Sequence, residues 1–475
     1  MDEFLVISLL VLPVLFPFAL ILWGVLTERF SRRLPLARTV RMIGIPGVLL
    51  CVVLPYVTVL ATEFDAYVFA GQSSMLSFPV SELGLRADGF GFAARILAAF
   101  LALLLLSGRG GVDARQLSEK ALRVLTSTAG LLFGFFLLSG TSDLLMLWGG
   151  VEILVLSAFR LRTMGSGFRA AYRRGGYYSG LGAMGLLLFY GLFGTTSLEG
   201  IETALSTQNV EIVPVQPLLL GMLLLLGGFI ARIGSCVAGG LAGVNTRSTG
   251  VASLFVLLSG AVLAIRLFTE MFPAHLFGIE LVHLALFAGG GIGLVSILQA
   301  IGTEDPVKSL SYAMGGHLGI AILGFASGSA GTLFGSGTWM LLHIVLTAGV
   351  LYMVTVDAGR GSAPVANGLA TSVRKALTGF LFLALAGMPF TGGFFSRIVL
   401  LGAVNPLPEY LRIRPVPQRY YAPLHQQPAD IFGSVMPVVL VGTVLAVLLL
   451  YAYGRLFRGL YFAGESSGFG HDDTL

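Results

Sequence analysis

Long apolar stretches separated by short polar segments recur along this whole chain. A stretch of about 20 apolar residues is long enough to cross a bilayer as a helix. These spans predict an all-α polytopic membrane protein with little chain left for globular domains. The pattern predicts about 13 spans, at roughly 5–27, 40–61, 89–107, 122–140, 143–161, 174–195, 215–236, 249–271, 278–300, 308–328, 335–356, 377–401 and 433–454.

The composition leads to the same class and adds an orientation. Hydrophobic residues make up 56% of the 475 residues and charged residues only 11%, whereas a soluble domain has about 25% charged residues. Arginines gather in alternate loops between the predicted spans, and the other loops carry mainly Asp and Glu. Because basic loops stay in the cytoplasm or matrix, the N-terminus is expected outside and the C-terminus inside.

One carboxylate lies deep within an apolar span. Glu152 follows Asp143 by nine residues, which is roughly 14 Å along a helix. The hydrocarbon core is about 30 Å thick, so Glu152 is expected near its middle. A charge there is costly and usually serves ion or proton movement. The alternative is a carboxyl group that is held neutral by burial and only packs helices together.

Five other ionisable side chains interrupt apolar segments and are candidates for the same role. Buried arginines can carry such a function or reach the interface from a helix end. The histidines can relay protons or serve as hydrogen-bonded packing residues, and the lysine can be an interfacial residue at a helix start. The five are Arg232, Lys308, His317, His343 and Arg397.

Both arginines lie beside residues that can interrupt a helix. Such residues are Gly234 in the seventh predicted span, and Pro389, Gly392 and Gly393 in the twelfth. Interrupted helices in corresponding halves of a chain point to an ion site in transporters built from inverted repeats.

Motifs for soluble chemistry do not occur in the sequence. We find no phosphate-binding glycine loop with Lys and Ser/Thr, and no nucleophile–base motif. Cys51 and Cys236 are far apart, and six histidines are scattered over the chain, so no metal site is expected. Redox catalysis in this chain and a nucleic-acid partner are not expected either.

Four segments, in order, resemble the fifth, seventh, tenth and twelfth helices of the antiporter-like subunits of respiratory complex I. The similarity extends over about residues 85–460. Within that family the chain is similar to NADH dehydrogenase subunit 2, with subunit 4 and a Mrp-type sodium/proton antiporter subunit as alternatives. The segments are Asp143 to Glu152, Phe229 to Gly234, Lys308 to Gly319, and Leu385 to Arg397.

The resemblance implies a fold and an assembly. Two inverted five-helix repeats with broken helices 7 and 12 are expected at 111–275 and 276–460, after three helices in 1–110 and before a tail at 461–475. The implied role is proton translocation coupled to NADH oxidation and ubiquinone reduction. The chain itself is expected to hold no cofactor, whereas FMN, iron–sulfur clusters and ubiquinone are expected elsewhere in the complex.

The resemblance also implies partners and a location. The partners are other membrane-arm subunits, including neighbouring antiporter-like subunits, and membrane lipids. The acidic N-terminus runs directly into a span, without an Arg- and Ser-rich presequence. The lack of a presequence is typical of a subunit that is encoded in the organelle, so the mitochondrial inner membrane is expected. The N-terminus would lie on the intermembrane-space side and the C-terminus in the matrix. A bacterial plasma membrane is the alternative.

The sequence departs from the family pattern at its basic residues. The family has lysines where this chain has Arg232 and Arg397, and a further lysine near Leu257. Lysine can lose its proton when buried, whereas arginine almost never does. We therefore expect Glu152 and Arg232 to form a charge switch. Protons would then travel through water and His317, or conduction would be weak.

Overall fold

The computed structural model describes residues 89–106, 114–162, 168–207, 215–235, 247–267, 271, 275–276, 279–304, 306–324, 339, 343–347, 350, 369–391, 393–396 and 430–461. The chain divides into two compact units, Met1–Pro273 and Ala274–Leu475. The first two predicted spans lie outside the described residues.

Unit 1 contains seven described helices. They are α1 (Gly89–Leu106), α2 (Ala114–Gly140), α3 (Leu144–Arg162), α4 (Phe168–Phe193), α5 (Leu198–Thr207), α6 (Val215–Ser235) and α7 (Arg247–Arg266).

Unit 2 begins, among its described residues, with two short antiparallel strands, β1 (His275–Leu276) and β2 (Ile279–Glu280). Four described helices follow: α8 (Leu281–Gly302), α9 (Pro306–Gly324), α10 (Leu369–Ala386) and α11 (Asp430–Tyr461). Of the eleventh predicted span, 335–356, only seven residues are described, and all seven are helical. The protein is thus mostly helical, and the strand pair is a small departure from the predicted all-α class.

Four of the described helices are long and apolar enough to cross a membrane: α3, α4, α6 and α11. Some helices extend beyond the apolar run that predicted them. For example, α2 begins at Ala114 and α11 ends at Tyr461, because a helix can continue into the polar zone that flanks the hydrocarbon core. The short helix α5 was not predicted, since it is too short to span.

Glycine contacts hold α4 against α6. A methyl group added at Gly228 of α6 would lie 2.6 Å from the Cα atom of Gly182 in α4. One added at Gly185 would lie 2.7 Å from the Cα atom of Leu225. Small residues let membrane helices approach this closely, so the backbones of α4 and α6 are in direct contact.

A second kind of glycine contact is found in both units, among the residues that the structure describes. Between α2 and α3, a methyl group at Gly134 would lie 2.7 Å from the carbonyl oxygen of Gly150 and 2.8 Å from the amide nitrogen of Leu154. Between α8 and α9, a methyl group at Gly289 would meet the matching atoms of a second Gly–Leu pair, Gly319 and Leu323, at 2.7 and 2.9 Å. Each unit therefore uses a glycine on one helix and a Gly-x-x-x-Leu segment on the next.

Within the twelfth predicted span, the helix α10 ends at Ala386 and a turn follows. The Gly387 and Met388 amides donate to the carbonyls of Ala384 and Leu383, at 3.0 Å each, and Gly387 has φ +75°. This pattern closes a helix C-terminus, and a proline two residues beyond it cannot continue the helix. The chain is helical again at 393–396.

The seventh predicted span is uninterrupted where it is described. The helix α6 continues through Arg232 and Gly234 to Ser235. Residues 236–246 follow it and lie outside the described residues.

Replacing Gly228 with Ala should separate α4 from α6. The new methyl group meets backbone atoms that cannot move aside, so we expect a loss of about 1–3 kcal/mol in the free energy of unfolding. Gly227→Ala is the matched control, because no atom lies within 4 Å of a methyl group there. That variant should be neutral or up to about 1 kcal/mol more stable. Thermal unfolding in detergent measures both, and equal midpoints would contradict the close contact.

Candidate functional site

A bidentate ion pair joins α3 to α6 in unit 1. Arg232 donates from Nε to Glu152 Oε1 at 2.9 Å and from Nη2 to Glu152 Oε2 at 2.7 Å. The planar guanidinium matches the two carboxylate oxygens, which makes this one of the stronger kinds of hydrogen-bonded ion pair. The structure thus brings together residues that are 80 positions apart in the chain.

The pair is withdrawn from the surface of the described structure. The Arg232 side chain is 2% exposed and that of Glu152 is 17% exposed. Phe229 and Ile233, on the same helix as Arg232, are buried apolar residues. Removing one partner of such a pair leaves a charge without compensation, and typically costs about 3–5 kcal/mol. The charges therefore belong together in the folded state.

Asp143 fixes the start of α3, the helix that carries Glu152. Asp143 Oδ1 accepts hydrogen bonds from the amides of Leu145 and Met146, at 2.9 and 3.1 Å, which satisfies donors at the helix N-terminus. Its other oxygen, Oδ2, accepts a 2.5 Å hydrogen bond from Thr196 Oγ1, just before α5. Asp143 therefore anchors the end of the helix that carries Glu152.

A second buried polar cluster lies in unit 2. His317 Nε2 is 2.8 Å from the Tyr453 hydroxyl oxygen, and the ring centroids of His317 and His343 are 4.0 Å apart. His343 Nδ1–H donates to the Trp339 carbonyl at 2.7 Å. Both histidines are fully buried and Tyr453 is 1% exposed. The structure thus places two imidazoles in contact and joins one of them to a phenol.

The structure does not place the other predicted site residues that it describes in either of these two clusters. Lys308 is half-buried in the first turn of α9. Pro389 is exposed, and a methyl group at Gly393 would strike the Ala384 carbonyl oxygen, so Gly393 lets the chain pass the end of α10. Gly234 has open space around it. Arg397 and Gly392 lie outside the described residues.

Two features of the buried polar structure were missed by sequence reasoning. Tyr453 was read as part of an apolar span, although a phenol within such a span is a signal for a polar partner. Arg266, which is 2% exposed, was not among the predicted site residues. Its Nη2 donates to the Ser139 carbonyl at 2.7 Å, near the end of α2, where cations are stabilised by the helix dipole.

The two clusters differ in what they can do with a proton. An arginine keeps its proton, so Arg232 can act as a fixed charge but not as a carrier. An imidazole can gain and lose a proton near neutral pH. Four helices long and apolar enough to cross a membrane, a buried ion pair and a buried histidine pair define a membrane protein with ionisable side chains inside its helical units.

The comparison with known families agrees with this class. Residues 141–411 match the family described as "NADH:quinone oxidoreductase/Mrp antiporter, TM". The chain belongs to this family, which confirms the resemblance drawn from its motifs.

Two curated relatives of this chain have the same name. The protein called NADH-quinone oxidoreductase subunit N from Trichlorobacter lovleyi is 26% identical over 77% of this chain and 79% of its own length. The protein of the same name from Sphingopyxis alaskensis is 25% identical over 80% of this chain and 77% of its own length.

Solved structures share the fold. A chain of the archaeal membrane-bound sulfane sulfur reductase has a TM-score of 0.69, with 16% identity over 96% of this chain and 88% of that chain. A chain of the Mrp complex from Dietzia scores 0.67, with 16% identity over 96% and 80%. A chain of Thermus thermophilus respiratory complex I scores 0.58, with 17% identity over 96% and 89%.

Breaking the ion pair on one side should destabilise unit 1. We expect Arg232→Met to lower the free energy of unfolding by about 3–5 kcal/mol, because the Glu152 carboxylate loses its partner. The double variant Arg232→Met with Glu152→Gln should regain most of this loss, since it carries no charge at the site. Thermal unfolding of the purified variants measures both effects. A double variant as unstable as the single one would contradict the pairing.

Proposed function

We propose that this chain is a membrane-arm subunit of an NADH:quinone oxidoreductase of the subunit N type. Its role would be to take part in proton translocation coupled to quinone reduction elsewhere in the complex. The observation that carries this proposal is the buried Glu152–Arg232 ion pair in a chain of this family. The names of its curated relatives favour subunit 2, the counterpart of subunit N, over subunit 4.

The ion pair would act as a switch for charge rather than as a carrier of protons. When the pair is closed, the two charges neutralise each other. Opening it leaves a guanidinium and a carboxylate in apolar surroundings, at a cost of several kcal/mol. A charge that arrives from a neighbouring subunit could supply that energy. The protons themselves would move through water and through the pair His317 and His343, since imidazole can release what it binds.

The repeat architecture is part of the proposal. The matching contacts of Gly134 with Gly150 and of Gly289 with Gly319 support two related units. On this basis the inverted repeats would occupy 111–275 and 276–460, after three helices in 1–110. The turn at Gly387 and Pro389 would then be the broken helix of the second repeat.

Location and partners follow from the assembly. The relatives described above are bacterial, which favours a bacterial plasma membrane over the mitochondrial inner membrane. The arginine-rich loops would face the cytoplasm. Other membrane-arm subunits would cover part of the surface and lipids the rest. FMN, iron–sulfur clusters and quinone would be held by other subunits, and this chain would hold no cofactor.

A Mrp-type antiporter subunit is the second candidate function. The fold match to the Mrp chain, at a TM-score of 0.67, is higher than the match to the complex I chain, at 0.58. Because the identities are 16% and 17%, these matches concern the fold alone.

Gentle purification of the native assembly separates the two candidates. We expect a large particle with flavin and iron–sulfur absorption that reduces quinone with NADH, because the relatives are named for that reaction. A particle without flavin that exchanges sodium for protons in vesicles would instead establish the antiporter.

Variants of Arg232 test the switch. Arg232→Gln removes the charge, so we expect NADH-driven proton uptake into vesicles to fall relative to NADH oxidised. Arg232→Lys keeps the charge and should preserve this ratio or raise it, because lysine can also release a proton. Arg458→Gln, at an exposed residue in the last turn of α11, is the control. Normal proton uptake by the Arg232→Gln variant would refute the switch.

A further inference from the structure

We propose that Tyr453 passes protons between a cavity at one end of unit 2 and the buried pair His317 and His343. This inference rests on the proposed role in proton translocation. It adds a residue and an entrance that neither the motifs nor the family match supplies.

The cavity lies where α8 ends and α9 begins, against the last third of α11. It has a volume of about 250 Å³ and is lined, among others, by Thr303, Glu304, Ser309, Ala452 and Arg455. A space of this size holds several water molecules, and its polar lining offers them partners. Glu304 and Arg455 are both exposed, so the mouth of the cavity carries two charged side chains.

The helices α9 and α11 carry both the residues that line the cavity and residues of the histidine cluster. In the sequence of α11, Tyr453 lies between two residues that line the cavity, Ala452 and Leu456. On α9, Ser309 lines the cavity and His317 follows eight residues later, roughly 12 Å along the helix. Ala313, between them, is a small buried residue. Tyr453 follows the lining residue Ala452 in the chain, and its hydroxyl is hydrogen-bonded to His317. In the proposed route, this hydroxyl receives the proton from the water in the cavity.

The chemistry of this step needs no ionised tyrosine. A proton from cavity water binds to the Tyr453 hydroxyl oxygen while the O–H bond on the other side breaks, and that proton passes to His317 Nε2 across the 2.8 Å hydrogen bond. Tyr453 ends neutral and His317 ends as a cation. The His343 ring lies 4.0 Å from His317 and is the next group on this route that can receive the proton.

Tyr453→Phe in the intact complex tests the proposal, because it removes only the hydroxyl group. We expect vesicles that contain this variant to lose NADH-driven proton uptake relative to NADH oxidised. The matched control is Tyr451→Phe, the same chemical change two residues away on a side chain that is 60% exposed. It should behave as the unmodified complex does. A Tyr453→Phe variant that assembles and takes up protons normally would overturn the proposal.

Blocking the cavity gives a second test that does not depend on that variant folding. In a background with Cys51→Ser and Cys236→Ser, Thr303→Cys places one thiol at the cavity. Modification with a bulky, membrane-impermeant thiosulfonate should reduce proton uptake, and reduction of the adduct should restore it. Unchanged uptake after complete modification would overturn the proposal.

Different results would refute the proposed function and the proposed route through Tyr453. A complex with unmodified subunits that takes up no protons would refute the proposed function itself. Proton uptake that survives either the loss of the Tyr453 hydroxyl or the block at Thr303 would refute only the route through Tyr453.

Discussion

Unit 1 depends on the pairing of Arg232 with Glu152, because neither charge can be buried without the other. Each charge, alone in apolar surroundings, would cost several kcal/mol, and only close, well-oriented pairing offsets that cost. The pairing needs α3 and α6 at a defined distance and depth. Asp143 caps the start of α3. Gly182 and Gly228 let α4 and α6 touch along their backbones, one helical turn from Arg232. Helix packing and electrostatics therefore depend on each other here.

The two units carry buried polar groups of different chemical character. In unit 1, Arg232 keeps its proton, so the pair with Glu152 can respond to charge without conducting protons. In unit 2, His317, His343 and Tyr453 form a cluster in which each member can donate or accept a proton. The proposed function assigns a different role to each cluster: the ion pair would respond to charge, and the histidine cluster would transfer protons.

Hydropathy and a few polar residues predicted much of this arrangement. Glu152 stood out because an isolated carboxylate interrupts an apolar run, and its depth followed from the rise of a helix. The motifs that surround it led to the correct family. The pairing with Arg232 was expected from the resemblance and not from spacing, since 80 residues separate the two and hydropathy does not report which helices are neighbours.

Other features were beyond reach of the sequence for physical reasons. Apolar periodicity indicates that a residue is buried but not which side chain it meets. The contact between the His317 and His343 rings and the contact with Tyr453 were therefore not predicted. The short helix α5 was not predicted because a span-length window overlooks it. The helices α2 and α11 are longer than the apolar spans predicted at 122–140 and 433–454, because hydropathy reports the apolar part of a helix and not its ends.

Proton uptake by the neutral pair, Glu152→Gln with Arg232→Met, tests the central claim most directly, because it separates the structural role of the charges from their functional role. The account predicts a complex that assembles and oxidises NADH but takes up fewer protons for each NADH. Uptake equal to that of the unmodified complex would show that the ion pair only holds α3 and α6 together, and would contradict its role as a switch.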